Sequence, residues 1–124
     1  MEKRIVRTYK DLFVWQRAHF LVLEIYKVTR NFPKEELYAL VSQLRRAVIS
    51  VPANIVEGHA RGSRKEFINF LNIAKGSLAE VDYFLYLSLD LKYLSEAEYN
   101  FLEGIRNEVG ILLYKFSESL KLVR

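Results

Sequence analysis

Residues 37–61 read LYALVSQLRRAVISVPANIVEGHAR. Within them Leu37, Leu40, Leu44, Val48, Val51 and Ile55 recur at steps of three and four, the period of one helix face and not of a strand. Pro52 falls inside this stripe, where it removes one helical hydrogen bond and crowds the Val48 carbonyl. The stripe stays in phase through Val48, Val51 and Ile55, so the reading is one kinked helix, not two helices.

The same period extends outward on both sides. Val14, Trp15, Ala18, Val22, Ile25 and either Val28 or Thr29 line one face of an earlier segment. Phe67, Phe70, Leu71, Ala74, Leu78, Val81 and Leu85 do so in a third, and Phe101, Leu102, Ile105, Val109, Leu112, Phe116 and Leu120 in a fourth. The expectation is a single all-α domain over residues 1–124, with a basic arm at 1–9 and helices at about 10–31, 35–61, 64–92 and 96–121. Short connections make consecutive helices antiparallel neighbours, hence an up-down-up-down four-helix bundle.

The helix ends carry chemical marks. Ser63-Arg64-Lys65-Glu66 and Ser95-Glu96-Ala97-Glu98 both read as capping boxes, a hydroxyl and a carboxylate three residues apart serving each other's amides. Pro33 followed by Lys34-Glu35-Glu36 suits a first turn, with acidic groups at the positive helix end. Gly62 sits where a left-handed stop residue belongs.

Composition narrows the function. The chain has 124 residues, no cysteine and a net charge of +4, which excludes disulfides, thiolate metal sites and cysteine nucleophiles. Its longest stretch free of charged residues, Ala47 to Val56, falls far short of the ~20 residues that span a bilayer. The charged N-terminus leads into no apolar run of signal-peptide type, so a cytoplasmic location is expected. No phosphate-binding glycine loop is present. His19 and His59 have no metal-ligand spacing, and no serine has a nucleophile elbow. Neither an enzyme nor a metal or other cofactor is expected.

Two features remain to be explained. A second apolar set falls off the core stripes: Tyr38, Ile49, Ala53, Val56 and Ala60 on the second helix, Phe13 and Phe20 on the first, and Ile68, Ala79, Tyr83 and Tyr86 on the third. A helix that is apolar nearly all round is usually buried on both sides, so these residues point to self-association. Phe13, Phe20, Ile49, Ala53 and Val56 are the candidate interface. Asn54 and Glu57 join them as polar groups near that face, with Glu57 also spaced to pair with Arg61.

The other feature is charge. Residues 37–65 carry +4 and residues 66–90 carry −3. Arg45, Arg46, Arg61, Arg64 and Lys65 form the candidate nucleic-acid-binding set, with Lys3, Arg4, Arg7 and Lys10 as a helper arm. Guanidinium forks beside helix amides can hold phosphate without reading sequence. A solvated turn with arginines serving subunit contacts is the competing reading.

The order of short motifs resembles a known family. Tyr9-Lys10-Asp11-Leu12-Phe13-Val14-Trp15-Gln16-Arg17-Ala18 is similar to its opening block, and Phe32-Pro33-Lys34-Glu35-Glu36-Leu37-Tyr38 and Ser42-Gln43-Leu44-Arg45-Arg46-Ala47 to the next two. Ser50-Val51-Pro52-Ala53-Asn54-Ile55-Val56-Glu57-Gly58 resembles its signature, followed by Arg61-Gly62-Ser63-Arg64-Lys65-Glu66-Phe67 and Ala74-Lys75-Gly76-Ser77-Leu78-Ala79-Glu80. This is the pattern of the 23S rRNA intervening-sequence proteins, over about residues 8–120.

The resemblance implies a left-handed bundle that assembles as a homopentameric ring or barrel. It also implies kinship with the accessory variability determinant of diversity-generating retroelements, a basic pentamer that binds a reverse transcriptase and nucleic acid. Many members are encoded within segments interrupting bacterial large-subunit rRNA genes, and no enzymatic activity is attached to the fold. The functional expectation is a non-enzymatic homo-oligomeric scaffold acting as a nucleic-acid-associated accessory protein, with RNA or DNA and a reverse transcriptase as candidate partners. The alternative is a protein-interaction ring that binds no nucleic acid.

Overall fold

The computed structural model describes residues 6–122. Four α-helices, α1 (Phe13–Thr29), α2 (Leu40–Ala60), α3 (Arg64–Asp90) and α4 (Glu96–Leu122), account for most of them, with short 3-10 turns at Tyr9–Asp11 and Lys34–Glu36. There is no strand among the described residues. Lys3 and Arg4 of the expected basic arm lie outside the described residues.

Each helix packs against its neighbour in the chain, and α4 closes back on α1. No Cα of α1 comes within 8 Å of one in α3, nor of α2 within 8 Å of one in α4, among the described residues. The start of α1 meets the end of α4, where Leu12, Phe13 and Val14 lie against Leu112 and Phe116. The end of α1 meets the start of α2 through Thr29 and Arg45, and Ser50 of α2 meets Ser77 of α3. On α4, Arg106 reaches Asp82 of α3. One core runs through the middle, with Leu21, Ile25, Leu44, Val48, Val51, Ile55, Leu71, Leu85, Leu102 and Leu113 among its fully buried side chains.

The stripe residues of α2 from Leu40 to Ile55 are buried as their period requires, and the helix runs unbroken through Pro52. Two stripes are offset by one residue at a single position each. Leu21, not Val22, is the fully buried residue in mid-α1, and Leu113, not Leu112, in α4. Adjacent leucine and valine residues are equivalent to a periodicity count, and only the neighbouring helix decides which of two points inward. Leu37 and Phe101, at the outer ends of their stripes, are exposed.

Helix ends follow local chemistry, with one correction. Ser95 and Glu98 form a reciprocal capping box, each side chain bonded to the other's backbone N–H at 3.0 and 2.9 Å. The Ser63 hydroxyl accepts the Glu66 amide at 3.1 Å. Gly62 has φ +79°, the left-handed stop that glycine adopts without a Cβ penalty.

Helix α2 starts at Leu40 and not near 35, because Glu36 is drawn out of the helix. Its carboxylate accepts the Leu40 amide at 3.4 Å and the Tyr93 hydroxyl at 2.8 Å. A similar 3-10 turn, capped by Thr8 and Asp11, delays α1 to Phe13.

Candidate nucleic-acid interface and subunit faces

The five basic residues expected to act together fall into two groups. Arg45 and Arg46 lie in the first half of α2, while Arg61, Arg64 and Lys65 cluster at the α2–α3 corner. The fifteen residues from Arg46 to Arg61 span roughly 22 Å at 1.5 Å rise per residue. A single phosphate-binding cluster of five is therefore not what the fold builds. Adjacency along a sequence segment does not survive conversion into a helix of that length.

Arg45 and Arg61 are both engaged within the chain. Thr29 donates its hydroxyl back to the Ile25 carbonyl at 2.7 Å, and its oxygen accepts Arg45 Nε at 3.0 Å. The Arg45 guanidinium lies 4.3 Å above the Tyr26 ring, an arrangement in which a cation meets the negative face of an aromatic. Arg45 thus pins the end of α1 to the start of α2. This use was invisible in the sequence because Tyr26 and Thr29 belong to a different helix.

Arg61 pairs with Glu57 at 3.2 Å, the i,i+4 geometry that their spacing suggested, and lies 5.0 Å above the Phe70 ring. Arg46, Arg64 and Lys65 are exposed. Arg64 and Lys65 occupy the first turn of α3, where backbone amides and the helix dipole favour anions.

The second apolar set is solvent-facing in the isolated chain. Tyr38 is 92% exposed and Ile49 40%, Ala53 is exposed and Val56 partly so. They line two grooves that share Ile49, the smaller of them between α2 and α1. The larger, of about 490 Å³, is bordered by Leu37, Tyr38, Val41 and Arg46. The smaller runs between Trp15, His19 and Val22 on one side and Pro52, Ala53 and Val56 on the other. Trp15 stacks on His19 at 4.9 Å, and Tyr9 meets Trp15 edge-on at 5.0 Å.

The remaining interface candidates are elsewhere. Phe13 lies on the α1–α4 side with Leu112 and Phe116, and Phe20 sits beneath Arg17, which bonds Glu108 of α4. These two phenylalanines do not share a face with Ile49, Ala53 and Val56 as their sequence positions suggested. Asn54 turns to the α3 side, donating to the Ser50 carbonyl at 2.7 Å and to its hydroxyl at 2.9 Å. Glu57 is exposed beside Arg61.

The α3–α4 side carries a further exposed set, Tyr83 at 59% and Tyr86 at 53%. Arg106 bonds Glu103 and lies 3.7 Å from Asp82. Glu103 holds the Arg106 guanidinium even more firmly protonated than usual. Burial, then the charges of Glu103 and Asp82, push the Tyr99 phenol above its ordinary range.

Gly58 is a structural residue that sequence reasoning passed over. A Cβ there would lie 2.7 Å from Phe67 Cδ1 and 2.9 Å from Phe70 Cβ. Glycine at this position lets α2 and α3 approach closely. The signal was present as a glycine four residues before the stop glycine, but only the partner helix gives it meaning.

Over residues 10–115 the chain matches the sequence pattern of the 23S rRNA-intervening sequence proteins. The chain belongs to the 23S rRNA-intervening sequence protein family. A crystal structure at 1.70 Å of a protein of unknown function from the S23 ribosomal protein family of Bacteroides thetaiotaomicron VPI-5482 has the same fold, with a TM-score of 0.78 and 26% identity. The similarity covers 85% of this chain and 95% of that one. No curated protein matches the chain. For this intervening-sequence family member, no helix among the described residues is long and apolar enough to cross a membrane.

Proposed function

We propose that this family member is a non-enzymatic, homo-oligomeric helical scaffold that works as a nucleic-acid-associated accessory protein. The observation that carries the reading is the exposed apolar surface of α2. Tyr38, just before α2, and Ile49 and Ala53 on it are exposed and Val56 is half-buried, while Leu40, Leu44, Val48, Val51 and Ile55 of the same helix are packed into the core. An apolar strip of this kind on a helix marks a contact with another molecule.

The helix pairings support an antiparallel up-down-up-down bundle; a left-handed sense, a bend at Pro52 and assembly as a ring of five belong to the same proposal. Its expected setting is cytoplasmic, with a reverse transcriptase as a candidate partner. Arg64 and Lys65 at the start of α3, with Arg46 higher on α2, are the phosphate-contacting groups in this reading.

Two measurements test it. Light scattering should give a mass several times the 14.6 kDa of one chain; a stable monomer overturns the scaffold. Fluorescence anisotropy with labelled RNA and DNA should show sequence-tolerant binding that weakens as salt rises. Two or three neutralised phosphates correspond to a slope of log affinity on log salt of roughly −2 to −3. Arg64→Glu with Lys65→Glu should weaken binding to every sequence alike and leave the mass unchanged.

The engagement of Arg45 with Tyr26 and Thr29, and of Arg61 with Glu57 and Phe70, favours a second reading, a protein-interaction ring that binds no nucleic acid. Absence of binding at ~50 mM salt, where phosphate contacts are strong, would select it.

A further inference from the structure

We infer that a crevice between α2 and α3 is a binding site for a small zwitterion, a free α-amino acid. This goes beyond the scaffold reading and depends on neither assembly nor nucleic acid. The crevice, of about 230 Å³, is lined by Gln43, Arg46, Ala47 and Ser50 of α2 and by Ser77 and Glu80 of α3.

Its floor is made of small residues. Ala47 and Ser77 are buried, at 6% and 8% exposure, and the Ser50 and Ser77 hydroxyls meet at 2.7 Å. Such short side chains leave a recess where longer ones would fill the space between two helices. Arg46 lies about one turn before Ser50, and Glu80 about one turn after Ser77. A cation from one helix and an anion from the other therefore border the same recess.

The polar groups around it are unspent. No ion pair or hydrogen bond engages the side chains of Gln43, Arg46 or Glu80 among the described residues, so the two charges do not neutralise each other. Arg45 and Arg61, by contrast, are engaged within the chain. The two serines carry two hydroxyl hydrogens. Their mutual bond uses one, Ser50 Oγ also accepts Asn54 at 2.9 Å, and the second hydrogen has no acceptor among the described residues. The recess thus offers a guanidinium and an O–H to an anion, and a carboxylate and an amide oxygen to a cation.

That pairing selects the ligand class. A simple anion on Arg46 would face the Glu80 carboxylate, and a simple cation beside Glu80 would face the guanidinium. A molecule with both charges a few bonds apart answers both walls, as an α-amino acid does. The ligand carboxylate accepts from Arg46 and the serine hydroxyl, and the ligand ammonium donates to Glu80. Arg46 and Glu80 are exposed, which weakens each contact and puts the affinity in the millimolar range.

Isothermal titration calorimetry on the full chain, with glycine as the probe, tests the assignment and should show saturable binding. Glycinamide lacks the anionic charge and N-acetylglycine lacks the cationic one, so each should bind about tenfold more weakly than glycine. Arg46 also belongs to the proposed phosphate-contacting set, so the decisive variant is Glu80→Gln, which that reading does not use. It keeps the shape of the wall and removes its charge at an exposed position. Circular dichroism should stay helical while glycine affinity falls about tenfold.

Absence of saturable glycine binding up to ~50 mM, well above the expected range, overturns the proposal. So does N-acetylglycine binding as tightly as glycine, which would show an anion site on Arg46 alone. Unchanged glycine affinity in Glu80→Gln overturns it as well. A chain that proves monomeric yet binds glycine with these preferences overturns the scaffold and leaves this site standing.

Discussion

The two flanks of α2 are built from different residue types, and the less hydrophobic one is the one that is covered. The flank toward α3 carries small and polar residues, Ala47, Ser50, Asn54 and Gly58, yet makes the most extensive helix pairing in the molecule. The Ser50 and Ser77 hydroxyls bond at 2.7 Å, and Gly58 admits two phenylalanines. The outward flank beside α1 carries Tyr38, Ile49 and Val56 and is left open to solvent. Hydrophobicity alone therefore does not decide which side of a helix is covered. Small residues let a partner backbone approach, and the dispersion contacts of close packing follow.

The largest test of this contrast is Gly58→Val. A side chain there must displace Phe67 and the Phe70 Cβ, and overpacking of this kind costs about 1–3 kcal/mol despite valine's better helix propensity. Urea unfolding should show a lowered midpoint. Ala53→Val, the matching enlargement on the open flank, should lower the midpoint of the dissociated chain only by valine's poorer helix propensity, up to about 0.7 kcal/mol. Equal losses at both sites would erase the distinction between the flanks.

Ser50→Ala should come next, lowering stability by about 1 kcal/mol. It strips Ser77 of its hydroxyl partner and Asn54 of one of two acceptors. Ser50→Ala in a Ser77→Ala background should cost less than in the wild type, since both hydroxyls are then gone.

Ser117 offers a change of the opposite sign. Its Oγ is buried in α4 without a hydrogen-bond partner. Ser117→Ala removes a desolvated, unpaired hydroxyl and improves helix propensity, so the thermal midpoint should rise, by up to about 1 kcal/mol of stability.

The smallest effect concerns the end of the bundle. Tyr93 donates to Glu36, and this hydrogen bond, then desolvation and nearby carboxylate charge, raise its phenol above 10.0. The neutral phenol is the form that the fold favours. Its contribution is complete below the unfolded value and is lost as pH rises through the folded one. Wild-type stability should therefore decline more steeply in alkali than that of Tyr93→Phe, measured by urea unfolding across that range.

Much of the fold was legible because helical periodicity is a local property. The four helices, the Ser95 capping box and the Gly62 stop follow from residues within one or two turns of each other. The Glu57–Arg61 pair was readable for the same reason. Site-level reading stopped where a side chain's partner lay on another helix. Arg45 stacks over Tyr26, Glu36 leaves its helix for Tyr93, and Phe13 faces α4 instead of joining Ile49.

By itself the sequence determined an all-helical chain, its four segments and most of the residues that fill its core. Spacing of 3.6 residues and side-chain oxygens at helix starts act over a few ångströms. Tertiary structure alone decided that the candidate basic residues divide into two groups roughly 22 Å apart, that Arg45 stacks on Tyr26 and Arg61 on Phe70, and that the surplus apolar residues lie on different sides of the bundle. The azimuth of each helix about its own axis is set by the packing of its neighbours, and a shift of one residue turns a side chain by about 100°.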